Sequence, residues 1–345
     1  MKILVTGHHG YIGSVMIDVL ARAGHDIVGL DTYLYEGCDF GDALRVVPAI
    51  RKDVRDVQPA DLEGFDAVIH LAALSNDPLG CLSEDCTLEI NHRASVRLAQ
   101  VAKTAGVPRF LFASSCSLYG AAGGDSMLDE QAAFNPITAY GLSKVLVEQE
   151  VAPLADAHFS PTYLRNATAY GASPRLRADI VVNNLVGIAF TTGDVFIQSD
   201  GTPWRPLVHV RDISRAFLAV LEAPREAVHN QAFNVGSSIE NYQIKDVADI
   251  VRETVPGCSI RYATDGGPDP RCYRVNCDKI TAALGFRTEW TVRRGAQEMY
   301  ESFKRVGLTK EMFAGYVRLG RIQKLQQEQR LDATLRWRAA VGVSR

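Results

Sequence analysis

The chain has 345 residues and a formal net charge of -3, with 47% hydrophobic and 22% charged residues. That balance describes an ordinary globular protein of one large or two modest domains, and it argues against a nucleic-acid-binding surface. The first apolar run begins at Lys2 and is only a strand long, which leaves no room for a signal sequence or a membrane span. The 7 cysteines are odd in number and include no Cys-x-x-Cys pair, so reduced thiols in the cytoplasm are expected. No clustered His/Cys spacing points to a metal; the adjacent His8 and His9 read as variable slots of a turn.

Lys2 to Thr6 reads as a buried strand running into Thr6-Gly7-His8-His9-Gly10-Tyr11-Ile12-Gly13-Ser14, after which Val15, Ile17, Leu20 and Ala21 mark a helix. Glycine is needed there for tight turning and for close approach of backbone to a pyrophosphate facing a helix N-terminus. The first gap between glycines is one residue longer than in the usual dinucleotide fingerprint. A second strand, Asp26 to Leu30, ends at Asp31, whose carboxylate suits both ribose hydroxyls of NAD and repels the extra phosphate of NADP. An extended piece near Ile50 leads to Asp53-Val54-Arg55-Asp56, and the strand Ala67 to Leu71 closes in Leu71-Ala72-Ala73. A long helix is expected from about Glu84 to Ala105. The strand Phe110 to Ala113 then stops at Ser114-Ser115-Cys116-Ser117-Leu118-Tyr119-Gly120. Gly123-Gly124-Asp125 marks a loop before a helix carrying Tyr140 and Lys144, and the strand Thr162 to Leu164 ends at Arg165-Asn166.

The second half is less regular. Arg175 to Arg177 reads as a polar loop, Ile180 to Ala189 as a helix, and Val195 to Ile197 and Leu207 to Val210 as short extended pieces. Phe233-Asn234-Val235-Gly236 reads as a late strand. The tail from Lys310 carries Phe313, Val317, Leu319, Ile322 and Leu325 at helical spacing, which predicts a helix docked on its own subunit. The alternation of strands and helices predicts an α/β fold, a Rossmann-type doubly wound parallel sheet with a smaller α/β C-terminal substrate-binding domain. The expected boundaries are 1–170 for the dinucleotide domain, with 206–237 returning to it, 171–205 and 238–309 for the substrate domain, and 310–345 for the tail.

Ligands of an open parallel sheet sit beyond the C-terminal ends of its strands, so Ser115, Tyr140 and Lys144 are candidates for chemistry. A tyrosine is a poor base unaided, its ordinary pKa being about 10. An ammonium one helical turn on, at Lys144, favours the phenolate by opposite charge. Ser115 would then hold a substrate oxygen for proton transfer with Tyr140. Tyr300 and Lys304 repeat the spacing but lie in a segment that reads as an ordinary surface helix.

The motifs TGHHGYIGS, Asp31, HLAA ending at Ala73, SSCSLYG, YGLSK and DGTPWRPLVHVRD resemble those of extended short-chain dehydrogenase/reductases of the nucleotide-sugar epimerase and dehydratase type. The likeness is to the UDP-galactose 4-epimerase branch in particular and runs to about Arg305. It implies that Gly7, Gly10, Tyr11, Ile12 and Gly13 form the pyrophosphate turn, with Asp31 at the adenosine ribose and Asp53 and Val54 at the adenine. Leu71, Ala72 and Ala73 would wall the NAD, with Asn91 near the same site; Tyr140 and Lys144 would touch the cofactor as well as act with Ser115. It further implies a nucleoside-diphosphate sugar bound near Ser115, Cys116, Ser117, Asn184, Leu185, Arg205 and Arg271. Cys116 is read either as a substrate contact or as a buried filler. The Asp-Glu pair of water-eliminating relatives is replaced here by Cys116 and Ser117, which lowers a sugar 4,6-dehydratase reading. The Arg-x-x-Asn pattern becomes Arg165-Asn166-Ala167-Thr168, and Arg205-Pro206 in place of Arg-Asp implies an altered loop. A 4-epimerase is the leading expectation, with a 4-ketoreductase as runner-up and a non-catalytic dinucleotide sensor as the alternative class. The resemblance also implies a homodimer through helices near 91–105 and 140–151.

Overall fold

The computed structural model describes residues 1–41, 43–75, 83–120, 126–263 and 272–338. Six strands open the chain: β1 (Lys2–Thr6), β2 (Asp26–Asp31), β3 (Ala49–Arg51), β4 (Ala67–His70), β5 (Arg109–Ser115) and β6 (Ser160–Asn166). They are followed by β7 (Thr168–Tyr170), β8 (Asp194–Ile197), β9 (Trp204–His209), β10 (Gln231–Val235), β11 (Asn241–Gln243) and β12 (Ser259–Tyr262). A 7-stranded sheet has the order β10-β6-β5-β4-β1-β2-β3, and every neighbouring pair is parallel. Strands β4 and β6 are buried at each residue, as parallel strands covered on both faces must be. The chain moves outward from β1 through β2 and β3, then crosses back to β4. That reversal leaves a crevice between β1 and β4 where such sheets take ligands.

One face is covered by α1 (Tyr11–Arg22), whose Met16, Ile17 and Leu20 pack in one core with Ile213 and Phe217. The other is covered by α2 (Ala94–Thr104) and α3 (Ala139–Val151), with Leu98, Ala99, Val147 and Val151 against Phe110 and Phe112. A smaller layer holds the 3-stranded β11-β9-β7 and 2-stranded β12-β8 sheets. Around them pack α4 (Val181–Thr192), α6 (Ile244–Thr254) and α7 (Val292–Val306), over a core that includes Leu185, Val251, Met299 and Phe303. The return to the large sheet runs through α5 (Val210–Glu222) and β10; β9 pairs instead with β7 and β11.

Three local readings change. The expected uniform helix from Glu84 is an α-turn over Glu84–Thr87, a π-helical stretch over Leu88–Arg93, and then α2. Asn91 sits in the widened stretch, its side chain pinned to the backbone of Leu74 through both a donated and an accepted bond (2.9 and 2.7 Å). Arg205-Pro206 does not form an altered loop but lies inside β9, in register with Tyr242 and Asn241. The tail forms two short helices, α8 (Lys310–Gly315) and α9 (Arg318–Gln327), followed by a turn in which Leu331 pairs with Trp337. Phe313 and Tyr316 bury against Phe303 and Phe40, which docks the tail on its own chain.

Candidate active site

At the end of β1 the backbone turns at Gly7 with φ +72, where a side chain would be strained, and a Cβ there would lie 2.7 Å from the Ala72 nitrogen. A Cβ on Gly13 would lie 2.2 Å from the Gly7 carbonyl oxygen, so the first turn of α1 packs against the strand-end loop. Gly10 is the residue before α1 and caps its first N–H groups with no side chain, and Gly10 to Gly13 line the crevice. Tyr11 donates its hydroxyl to the Gly171 carbonyl (2.8 Å), fastening the turn to the smaller layer. His9 accepts from the Arg175 guanidinium (2.6 Å); burial, with Arg175 beside it, pushes its pKa down to about 4, so it is a neutral imidazole. Among the described residues no group of three or more His, Cys, Asp or Glu side chains is placed to hold a metal.

Asp31 ends β2 with Oδ2 accepting from His9 N (3.0 Å) and Oδ1 from Tyr33 N (2.7 Å). Burial holds its carboxyl above the usual range, and those two N–H groups and His8 act the other way. Asp53 spends its carboxylate on Arg55, through the backbone N, Nε and Nη2 at 2.6–2.9 Å. The loop after β4 is fixed by a buried relay. Thr6 Oγ1 accepts from Ala72 N and donates to His70 Nδ1 (2.6 Å), His70 Nε2 donates to Ser95 Oγ (2.8 Å), and Ser95 Oγ donates to Asn91 O (2.7 Å). That polarity needs a neutral His70 protonated on Nε2, and burial pushes its pKa down to about 3.

Ser115 closes β5. Its Oγ accepts from Ser117 N and donates to Ser117 Oγ (both 3.1 Å). Thr138 caps α3 by accepting from Gly141 N (3.1 Å), which places Tyr140 in the first turn. A Cβ on Gly141 would lie 2.8 Å from the Ser117 carbonyl oxygen, so the glycine next to Tyr140 is what lets α3 approach the Ser115 turn. Lys144 is buried, donates to the Ala113 carbonyl (2.8 Å) and stands 5.5 Å from the Tyr140 ring centre. Behind it, Glu148 accepts from Ser114 Oγ (2.5 Å) and pairs with Arg165 (2.6 Å), and Arg165 also donates to Tyr119 Oη and Glu130 O (both 3.0 Å).

Burial pushes the Lys144 pKa down to about 7, with the Glu148 carboxylate opposing the shift. An unfolded lysine keeps its proton to about pH 10. Between those values the unfolded chain binds the extra proton, so stability rises with pH, by up to about 1.4 kcal/mol per pH unit. In nucleotide-free protein, Lys144→Met is expected to flatten the rise in urea-unfolding free energy between pH 7 and pH 9. An equally steep rise in the variant would assign that titration elsewhere.

These groups share one cavity of about 680 Å³. It is lined by Gly7, Gly10, Tyr11, Ile12, Gly13, Asp31, Asp53, Val54, Leu71, Ala72, Ala73, Ser115, Ser117, Tyr140, Lys144, Asn184, Leu185 and Arg205. A cavity of about 300–1,000 Å³ is the size that encloses a small-molecule ligand. Two expected site residues lie off its surface. Asn91 acts on the lining through Leu74, and Cys116 turns its Sγ to the Arg165 carbonyl (3.2 Å) in a buried cluster with Cys277. Arg271 lies outside the described residues. Arg165 points into Glu148, whereas Asn166, Ala167 and Thr168 line the cavity.

Sequence reasoning missed Lys52, Tyr35, Arg177, Asp179, Arg318 and Leu335, which also line the cavity. Arg175 and Arg177, read as a polar loop, are buried. No periodicity marks that segment, and only the pairing of Arg177 with Asp179 two residues on (2.9 Å) hinted at a built site.

The residues fit a dinucleotide. The cradle admits no Cβ at Gly7 or Gly13, a carboxylate ends β2, and Asn166 Oδ1 and Arg177 Nη2 are buried without a hydrogen-bond partner. The sequence matches the NAD dependent epimerase/dehydratase family over residues 3–236. The chain belongs to that family, within the extended short-chain dehydrogenase/reductases, and its cofactor is NAD. It is 30% identical over 315 residues to a UDP-glucose 4-epimerase of Corynebacterium glutamicum, covering 84% of this chain and 92% of that one. It is also similar to MoeE5 in complex with UDP-glucuronic acid and NAD, at 28% identity and TM-score 0.76 over 88% of this chain and 99% of that one. The Thermotoga maritima UDP-glucose 4-epimerase with UDP-glucose shares the fold at 23% identity and TM-score 0.76, over 89% of this chain and 100% of that one.

Proposed function

We propose that the protein is a nucleotide-sugar 4-epimerase working through a transient 4-keto sugar, with Tyr140 as the acid and base. NAD supplies a hydride acceptor that returns the hydride it takes. Tyr140 removes the C4 hydroxyl proton and later gives one back, Lys144 supports the phenolate and Ser115 holds the sugar oxygen. Asn184, Leu185 and Arg205, in the same cavity, take the nucleoside diphosphate. The single observation that carries this reading is that Ser115, Tyr140 and Lys144 open into the cavity that also holds the glycine turn and Asp31. Cys116 and Ser117 supply no carboxylic acid beside Ser115, which favours epimerisation over water elimination. The relation to a UDP-glucose 4-epimerase supports the same choice.

The test is to incubate purified protein with UDP-glucose and no added reductant, following the anomeric proton signals of both C4 epimers. Interconversion without cofactor consumption is expected. No interconversion of UDP-glucose, together with stoichiometric oxidation of NADH when a nucleoside-diphosphate 4-keto sugar is supplied in its place, would make the protein a 4-ketoreductase instead. Asp31→Ala is expected to weaken NAD far more than NADP, because only NADP gains from losing the carboxylate. Titration of both by fluorescence checks it, and an unchanged ratio would assign selectivity to another group.

A further inference from the structure

We propose that the C-terminal segment is a strap across the adenosine end of the cavity, supplying Arg318 and Leu335 to the NAD site and slowing cofactor release. The family match ends at residue 236, so the strap lies outside it. After α9 the chain turns back and seats itself beside the two carboxylates at the strand ends. Trp337 Nε1 donates to Thr32 O, next to Asp31, and Arg55, the partner of Asp53, donates to Thr334 O (2.9 Å). Arg336 pairs with Asp56 (2.6 Å), and Arg321 donates to Leu34 O (3.3 Å) and Glu36 O (2.9 Å).

Two features of the strap point inward. Leu335 has φ +62, a left-handed conformation that a leucine rarely adopts. The turn over-determines it, because Asp332 Oδ1 accepts from Thr334 N and Arg336 N (2.8 and 2.9 Å) while Leu335 N donates to Asp332 O (3.1 Å). The result puts an apolar side chain in the cavity wall beside Leu74 and Leu34. Arg318 is buried over the Tyr35 ring (4.0 Å) and donates Nη2 to Arg175 O (2.8 Å), which leaves Nη1 without a partner. Arg177 lines the same cavity with its Nη2 equally unpartnered, while its Nε pairs with Asp179 (2.9 Å). Two guanidinium side chains on one cavity wall, each with a buried donor left unpartnered, suit an anion such as the dinucleotide pyrophosphate. A cofactor held in this way suits a reaction that recycles it. The inference rests on NAD occupying the cavity and not on the sugar reaction, so it can fail or stand independently of the proposed function.

The test is the release of bound NADH, followed by its fluorescence on chasing with excess NAD, with no sugar present. Three proteins are compared with the parent: a chain ending at Arg330, Leu335→Gly, which accepts the positive φ while removing the side chain, and Arg318→Gln. Release about tenfold faster is expected for the first two, the consequence of losing a buried apolar contact. For Arg318→Gln, weaker binding of both NADH and ADP-ribose is expected. Circular dichroism and thermal unfolding establish that each variant is folded; if the shortened chain is not, Leu335→Gly and Arg318→Gln decide. Release and affinity equal to the parent's in the folded variants would reduce the strap to a packing element and overturn the proposal.

Discussion

Tyr140→Phe is expected to lower kcat for sugar epimerisation by about 10³-fold, within the range of about 10²–10⁴ attributed to a lost general acid-base group. Only the hydroxyl is removed. The first turn of α3 is set by the Thr138 cap and by the fit of Gly141 against Ser117, and neither involves the phenol oxygen. Lys144 keeps its bond to the Ala113 carbonyl. The variant should therefore fold normally and retain NAD at the parent's stoichiometry, which absorbance of the purified protein measures. Turnover within tenfold of the parent would remove Tyr140 from the chemistry.

Arg165→Met is expected to destabilise the fold by about 3–5 kcal/mol, the usual cost of removing one member of a buried ion pair. The side chains of Arg165 and Glu148 are 5% and 7% exposed, so water cannot replace the lost guanidinium. Arg165 also donates to Tyr119 and to the Glu130 backbone, and those acceptors lose a donor as well. Glu148 stands one turn beyond Lys144 on α3, so its charge helps hold the Lys144 proton. The double variant Arg165→Met, Glu148→Gln should accordingly cost less than the sum of the two single changes. Urea unfolding of the four proteins measures this, and a loss below 1 kcal/mol for Arg165→Met would show the pair to be incidental.

The residues that shape the strand-end turn and its carboxylate were the legible ones. Gly7, Gly13 and Asp31 are dictated by close approach and charge at a strand end, which a linear pattern records well. The pairing of Tyr140 with Lys144 was legible because one helical turn brings them together. What stayed hidden depends on contacts far apart in sequence. Arg165 reads only as the end of a strand, and its partner Glu148 emerges once β6 and α3 are packed together. Asn91 looked like a ligand contact, yet the π-helical turn rotates it onto Leu74. Arg318 and Leu335 were invisible as lining residues, since helical spacing in the tail says where it buries and not what it covers. Arg205-Pro206 misled in the opposite sense, because the strand accommodates a proline nitrogen at that register.

The most direct test uses UDP-glucose carrying deuterium at C4, with NAD-loaded protein in ordinary water and no added reductant. Hydride removal and return within one cavity predicts the C4 epimer with deuterium still at C4, and Tyr140→Phe protein that yields neither epimer nor exchange. Deuterium lost to water, or no epimer formed by the NAD-loaded parent protein, would contradict the account.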